Sequence, residues 1–394
     1  MSSQLRQFPE SPSSASRPAG AVAGESAAST LAAPRRLLID DSLSLINRTG
    51  AHFIAKDLVA HFRERALVRR WRVFGADMPQ NLPRKLLARA MLREMHWLGA
   101  RASWRWPERG RTLRLFLDPL YVMRCALSAD DVVLCHDIGP LTHTDLYLPE
   151  TVHWYETVYA RIRECRPGLV FVSETSKAAF VARFGSDFRF LRAIPLYVRS
   201  ASEGGAEEPV PGLATPFFLS VGALERRKNH TATIDAFERS GLADAGMTLV
   251  LCGSRGDATA EIERRVARTR GVRLIGYVSD AQLRWLYRQA LAFVLPSLLE
   301  GFGMPALEAA RHGLIPIISG DSALNEAVGG LGLPVDAQRP DDIARAMHQV
   351  HQLDAAARLA WQQRLRDHAR GATREHFLQQ WDRLIAAELD RSVP

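Results

Sequence analysis

Lysine is nearly missing from this chain: of 51 basic residues in 394, only Lys56, Lys85, Lys177 and Lys228 are lysines. So heavy an arginine bias reflects codon composition rather than function, and it gives weight to a lysine found at a special place. Cysteine is equally scarce. Cys125, Cys135, Cys165 and Cys252 form no CxxC pair, which argues against a structural zinc site and fits reduced thiols. No segment approaches the roughly 18 uninterrupted apolar residues of a membrane span. The N-terminus lacks the basic start and apolar core of a signal peptide, so export is not expected. There is no internal repeat, and no D-x-D stands in a metal-binding setting. Metal-dependent binding is therefore not expected.

What is present is enough chain for two ordinary domains with real cores. The formal charge is +8, from 51 basic against 43 acidic residues. That surplus suits phosphorylated ligands or an anionic membrane surface. No nucleic-acid module accompanies it, so nucleic acid is not an expected partner.

Residues 1–33 are rich in Ser, Ala, Pro and Gly and read as a disordered tail. Order should begin with a buried strand at Arg36-Leu37-Leu38-Ile39-Asp40, followed by Arg48-Thr49-Gly50 and a helical run from Lys56 to Phe62. Strand, glycine turn and helix open a doubly wound α/β domain. Further strands follow at Val132 to Cys135 and Leu169 to Ser173. The segment 201–216, with three Gly, three Pro and several acids, reads as a linker between a domain at 34–200 and another at 217–370. Strands of the second domain are expected at Phe217 to Val221, Thr248 to Cys252, Val272 to Ile275, Leu291 to Leu295 and Ile315 to Ile318. In the tail segment 371–394, Phe377, Trp381, Leu384 and Ile385 mark a final helix that buries one face. From Val59 to Phe116 the chain is basic and aromatic, with Arg69, Arg70, Trp71, Arg72, Trp97, Trp104, Arg105 and Trp106. The bland reading is solvated helices whose tryptophans pack inward; the sharper one is a docking surface at a membrane interface.

The chemistry gathers in Ser297-Leu298-Leu299-Glu300-Gly301-Phe302-Gly303-Met304-Pro305-Ala306-Leu307-Glu308. It runs from a buried strand through a glycine loop to a helix marked by Pro305 at its start and Gly313 at its stop. Free amides and the positive dipole end converge there, which suits an anionic ligand. A hydrolase pair would need its carboxyls roughly 5 to 9.5 Å apart across one bond. Eight residues of pure helix would put Glu300 and Glu308 about 12 Å apart, so a split of duties is easier to build. Glu308 suits ribose hydroxyls, Glu300 a sugar, and the amides of Gly301, Phe302 and Gly303 can approach that sugar closely. The competing reading is one capping and one surface glutamate.

A second site follows the first strand of the second half, Ser220-Val221-Gly222-Ala223-Leu224-Glu225-Arg226-Arg227-Lys228-Asn229-His230. Asn229 is a candidate N-cap for the next helix. Arg227 and Lys228 beside a helix N-terminus make a diphosphate clamp that needs no metal. A solvated charge cluster is the alternative, and the rarity of lysine tells against it.

These pieces resemble the family 4 retaining glycosyltransferases of the GT-B fold. The resemblance is carried by V-G-A-L-E-R-R-K-N-H, G-Y-V-S-D-A-Q-L-R-W-L-Y, P-S-L-L-E-G-F-G-M-P-A-L-E-A and N-E-A-V-G-G, in the family's order over most of 216–350. It is thinner in the first half, at Arg48-Thr49-Gly50 and His136-Asp137-Ile138-Gly139-Pro140. It implies two Rossmann-like domains facing a central cleft, with the last helix crossing back onto the first. It also implies that Lys228, with Arg227 beside it and Gly222 in the loop, binds the donor diphosphate, and that Gly50 belongs to the donor loop. Glu300 would hold the donor sugar, Glu308 ribose, and Tyr277-Val278 would border the base. His136 would project toward the reacting sugar, although a His after a strand is ordinarily structural. Two departures stand out: Ala223 replaces an Arg or Thr, and Ala51-His52-Phe53 replaces the usual residues after T-G.

The expected activity is transfer of a hexose from a nucleotide diphosphate sugar to an acceptor hydroxyl with retention, in bacterial surface polysaccharide synthesis. The R-K-N-H form points to GDP-mannose, with a UDP-hexose next. A glycan or polyprenyl-diphosphate-linked oligosaccharide is the expected acceptor, and a cytoplasmic enzyme peripheral to the inner membrane face the expected setting. The rivals are a GT-B sugar-nucleotide epimerase and a non-catalytic nucleotide- or carbohydrate-binding subunit.

Overall fold

The computed structural model describes residues 35–46, 50–75, 77, 81–98, 112–124, 126–199 and 205–391. The tail at 1–33, Arg48, Thr49, Trp104 to Trp106 and Cys125 lie outside the described residues.

The first domain is built on β1 (Arg36–Asp40), β2 (Ala66–Arg70), β3 (Val73–Phe74), β4 (Thr112–Phe116), β5 (Val132–Cys135), β6 (Gly168–Phe171) and β7 (Phe190–Ala193). Their order across the sheet is β3-β2-β1-β4-β5-β6-β7. Every pairing is parallel except β2 with the short edge strand β3. Strands covered on both faces read as continuous apolar runs, and Val132, Val133, Leu134 and Cys135 are all fully buried. The strand order reverses between β1 and β4, so a crevice opens at their C-terminal ends.

β2 and β4 do not read that way, because each carries arginine. Arg69 and Arg70 are 2% and 4% exposed. Arg69 Nη2 lies 2.7 Å from Asp40 and Arg70 Nε 2.7 Å from Asp41. In β4, Arg114 holds Asp131 with two hydrogen bonds of 2.8 and 2.7 Å. The expectation of a solvated or membrane-facing surface at Arg69 and Arg70 is thereby corrected. A buried guanidinium with a carboxylate from the neighbouring strand is part of the core, and removing one partner strands the other charge.

The second domain is a six-stranded parallel sheet of β8 (Phe217–Val221), β9 (Thr248–Cys252), β10 (Val272–Gly276), β11 (Ala292–Leu295), β12 (Pro316–Ser319) and β13 (Leu333–Val335), in the order β10-β9-β8-β11-β12-β13. Here the order reverses between β8 and β11. The loops that follow these two strands are those the sequence singled out.

The segment before β8 packs on this domain rather than spanning space. Glu208 N donates to Ala281 O, and Val210 is buried in the core. The chain leaves the domain again at Ala372, whose carbonyl accepts from Val198 N at 3.0 Å, so the two crossings lie side by side. Helix Arg374–Asp390 then runs along the first domain. Trp381 is fully buried, Asp382 pairs with His61 and Arg65 at 2.8 and 2.6 Å, and Arg374 pairs with Asp57 at 2.9 Å.

Candidate functional site

The loop after β8 is fixed by its neighbours before it carries any charge. Gly222 N donates to Cys252 O and Leu224 N to Ser254 O, each at 2.9 Å. Gly253 must be glycine, since a Cβ there would sit 1.8 Å from Gly222 O. His230 opens helix His230–Ser240 and is 1% exposed, its ring bridging Ser220 Oγ (3.3 Å) and Ala223 O (3.2 Å). Burial lowers its pKa to about 4, with the nearby Lys228 acting in the same direction, so the ring is neutral. Asn229 is not the side-chain cap expected of it. It takes a left-handed φ of 57° and aims its amide at Pro296 O (3.0 Å) and Ala337 O (2.7 Å), tying this loop to the one after β11.

These constraints bring Lys228 to Glu300. Lys228 Nζ lies 2.5 Å from Glu300 Oε1, which also accepts from Ser297 Oγ at 2.9 Å, while Arg227 Nη1 stands 3.3 Å from Oε2. Gly222 lies beside the lysine stem, where a Cβ would meet Lys228 Cδ at 3.4 Å. Burial alone would raise the Glu300 pKa, but Lys228 and Arg227 outweigh it and hold the carboxyl below its ordinary range. Burial lowers the Lys228 pKa, and the second cation at Arg227 adds to that. Arg227 Nε also pairs with Glu225 Oε2 at 2.7 Å, so the two cations meet two carboxylates, of which Glu300 is the buried one. An anion that binds Lys228 and Arg227 does so by displacing these partners.

The second half of the loop adds free donors. Among the described residues, no backbone acceptor takes the N–H groups of Gly301, Phe302 or Gly303, and helix Met304–Arg311 begins directly behind them with Gly303 at φ 103°. Phe302 itself is buried at 5% exposure and anchors the loop.

The first domain closes over this site. A Cβ on Gly301 would lie 2.3 Å from His136 O, and one on Gly139 would lie 2.1 Å from Leu299 Cδ2 and 2.5 Å from Tyr147 Oη. Ser173 Oγ and Ser176 Oγ both donate to Gly301 O, at 2.6 and 3.0 Å. His136 is thus brought to the Glu300 loop by its backbone, while its ring turns inward with Nε2 3.1 Å from Leu117 O. That ring lines a cavity of about 10 Å³, room for one water, with Asp40, Asp41, His52, Asp118 and Tyr121. The cavity lies at the strand-order reversal of the first sheet. Gly50 also faces the second domain, since a Cβ there would lie 2.9 Å from Met304 Cε.

Glu308 is engaged already. It is 1% exposed and accepts from Arg199 Nε (2.5 Å), Arg199 Nη2 (3.1 Å) and Tyr287 Oη (3.1 Å). The Arg199 guanidinium also stacks over Phe53 at 5.2 Å, so it bridges the two domains where the chain crosses between them. Tyr277 stands 81% exposed just past Gly276 at the end of edge strand β10, and Val278 packs against the core. Arg199, Tyr147 and Asp118 were not found by sequence reasoning. Ser297, Tyr287 and Gly139 lay inside quoted motifs without a role, and only their contacts in the fold supply one.

Residues 208–368 match the family described as Glycosyl transferases, group 1. The chain is 27% identical over 242 residues to an O-antigen chain mannosyltransferase B of Escherichia coli, covering 58% of this chain and 63% of that protein. It is 30% identical over 146 residues to a GDP-mannose:cellobiosyl-diphosphopolyprenol alpha-mannosyltransferase of Komagataeibacter xylinus, covering 32% of this chain and 37% of that one. The chain thus spans less than two thirds of the length of either relative. Among solved structures, Anabaena HepE in complex with UDP-glucose superposes with a TM-score of 0.65 at 17% identity, covering 89% of this chain and 99% of that one. The architecture of two facing doubly wound domains is the GT-B fold.

Proposed function

Starting from a chain whose residues 208–368 form a group 1 glycosyl transferase domain, we propose that it moves a hexose from a nucleotide diphosphate sugar to a hydroxyl of a glycan or a polyprenyl-diphosphate-linked oligosaccharide. Mannose from GDP-mannose is the preferred donor and a UDP-hexose the second choice. The reaction belongs to polysaccharide synthesis, proceeds with retention, needs no metal, and takes place at the cytoplasmic face of a membrane. The observation that carries the reading is Lys228, Arg227 and Glu300 converging at the strand-order reversal of the second sheet, opposite the His136–Gly139 loop.

When the anomeric C–O bond breaks, its electron pair stays on the diphosphate, adding a negative charge to a group that already carries one on each phosphate. Lys228 and Arg227, with the free amides ahead of helix Met304–Arg311, are the groups that meet that charge without a metal. A diphosphate on Lys228 draws the ammonium away from Glu300, whose carboxylate then accepts from hydroxyls of the transferred sugar. Ser297 keeps Glu300 oriented in both situations. Ribose takes an oxygen of Glu308 that Arg199 now holds, and the exposed Tyr277 ring borders the base. The water-poor fit of Gly301 against His136 limits hydrolysis of the donor. The mannose choice rests on the names of the relatives and on the R-K-N-H form.

Thermal shift across a panel of nucleotide sugars tests the donor, because a ligand that binds only the folded state raises its stability. Turnover followed by NMR of the new linkage tests the rest. A product of inverted configuration, or activity abolished by chelator, would refute the mechanism.

A further inference from the structure

We propose that the outer face of helix Asn81–Leu98 docks the protein onto an anionic lipid bilayer beside the mouth of the cleft. The inner face of this helix is anchored: Met91 and Met95 are fully buried, and Arg84 Nη1 reaches inward to Leu45 O at 2.7 Å. Its outer face is apolar where a soluble helix is ordinarily polar. Leu82, Leu86 and Trp97 are 63%, 54% and 85% exposed, and steps of four, three, four and four residues put Leu82, Leu86, Arg89, Arg93 and Trp97 on one stripe. Lys85 borders it. Lys85, Arg89 and Arg93 are exposed and form no ion pair with another described residue.

The charge identifies the partner. The helix holds four cations, Arg84, Lys85, Arg89 and Arg93, against a single acid, Glu94. That acid is taken by Trp71 Nε1 at 2.5 Å and Arg72 at 3.3 Å, so nothing acidic remains on the stripe. From Leu82 to Trp97 the stripe runs about 22 Å. The cations Arg89 and Arg93 sit in the middle of it with Leu82 and Leu86 on one side and Trp97 on the other, whereas a protein interface gathers its apolar groups in a centre and its charges at the rim. A bilayer surface offers acyl chain and phosphate at nearly the same depth all along a ridge. Tryptophan, leucine and arginine are the side chains that use both.

The placement connects this surface to the site. His96, next to Trp97, pairs with Glu150 at 2.6 Å and contacts the Trp154 ring at 5.3 Å. Two residues before Glu150 stands Leu148, 68% exposed. Its neighbour Tyr147 turns the other way, toward Gly139 and into the field of Arg227 and Glu300. One short segment therefore joins the exposed stripe to the cleft, and an acceptor held by a lipid would enter there. Only this last step rests on the acceptor proposed above.

The test is flotation of the full chain with vesicles of phosphatidylglycerol and phosphatidylcholine, against phosphatidylcholine alone, at low and physiological salt and without donor or acceptor. The wild type should float with the anionic vesicles. Arg89→Glu with Arg93→Glu, and separately Leu86→Ala with Trp97→Ala, should each weaken binding at least tenfold. All four positions are outside the donor site, so both variants should keep wild-type turnover of a water-soluble acceptor. A wild type that stays in the aqueous fraction at both salts overturns the proposal, as does either variant binding like wild type. Because vesicle binding is read without substrate, its failure leaves the transfer reading standing. Loss of turnover with binding intact strikes the transfer reading alone.

Discussion

Glu300 is held by three donors, and two of them are cations that a diphosphate would also seek. That competition makes the two residues separable by kinetics. Lys228→Ala removes charge from the leaving group and leaves Glu300 with Arg227 and Ser297. Loss of one preorganised donor costs on the order of 10²–10³ in kcat, and breaking a buried pair costs roughly 3 kcal/mol of stability. Glu300→Gln keeps the shape and the Ser297 contact but leaves buried Lys228 without its carboxylate, so it should lose roughly 3 kcal/mol of stability as well, regain part of it when nucleotide diphosphate binds the released cations, and lose turnover of the sugar donor. Initial rates and nucleotide calorimetry on both variants check this. A Glu300→Gln enzyme with wild-type kcat would refute the sugar-holding role.

At the scale of elements, β1, β5, β8 and β9 were legible in the sequence to the residue, because a strand buried on both faces is an unbroken apolar run. β2 and β4 were not, since Arg69, Arg70 and Arg114 interrupt the run and their partners Asp40, Asp41 and Asp131 lie elsewhere in the chain. The same limit divides the site. Lys228 and Glu300 stood out through glycine, proline and the scarcity of lysine, whereas Arg199 finds Glu308 only through the fold, 109 positions away. The Lys228 loop also carries a pH dependence. His230 is held at about 4 against an ordinary 6.5, so between those values the unfolded chain binds a proton that the folded one does not. The contribution is complete above 6.5 and is lost as pH falls toward 4, amounting to about 3 kcal/mol. Glu300, also lowered, acts in the same sense at the acid end of that window. Urea midpoints should fall from pH 6.5 to 4 in the wild type and less steeply in His230→Gln. Parallel profiles would refute the assignment.

In the whole molecule the two domains are joined at the paired crossings near Val198 and Ala372 and latched again across the cleft. The second latch is Glu326, in the short helix Ala323–Ala327 of the second domain. Its carboxylate caps helix Glu174–Phe184 of the first domain, accepting from Glu174 N (2.7 Å), Thr175 N (2.8 Å) and Thr175 Oγ1 (2.7 Å). An acid at a helix N-terminus satisfies orphan amides and opposes the dipole charge. Beside it, Ser173 and Ser176 grip Gly301 O, so the latch acts on the loop that carries Glu300. Glu326→Ala leaves both domains folded, because helix Glu174–Phe184 retains its own Ser173 cap on Ser176 N at 2.9 Å. What it removes is the bias toward closure. A latch that is partly exposed to solvent is worth about 1–2 kcal/mol, a factor of roughly 5–30 in the open–closed ratio. Small-angle scattering should show a larger radius of gyration for the variant, with the KM for donor raised several-fold and donor hydrolysis raised relative to transfer. An unchanged radius together with an unchanged KM would mean that the paired crossings alone set the cleft, and that Glu326 is a cap and nothing more.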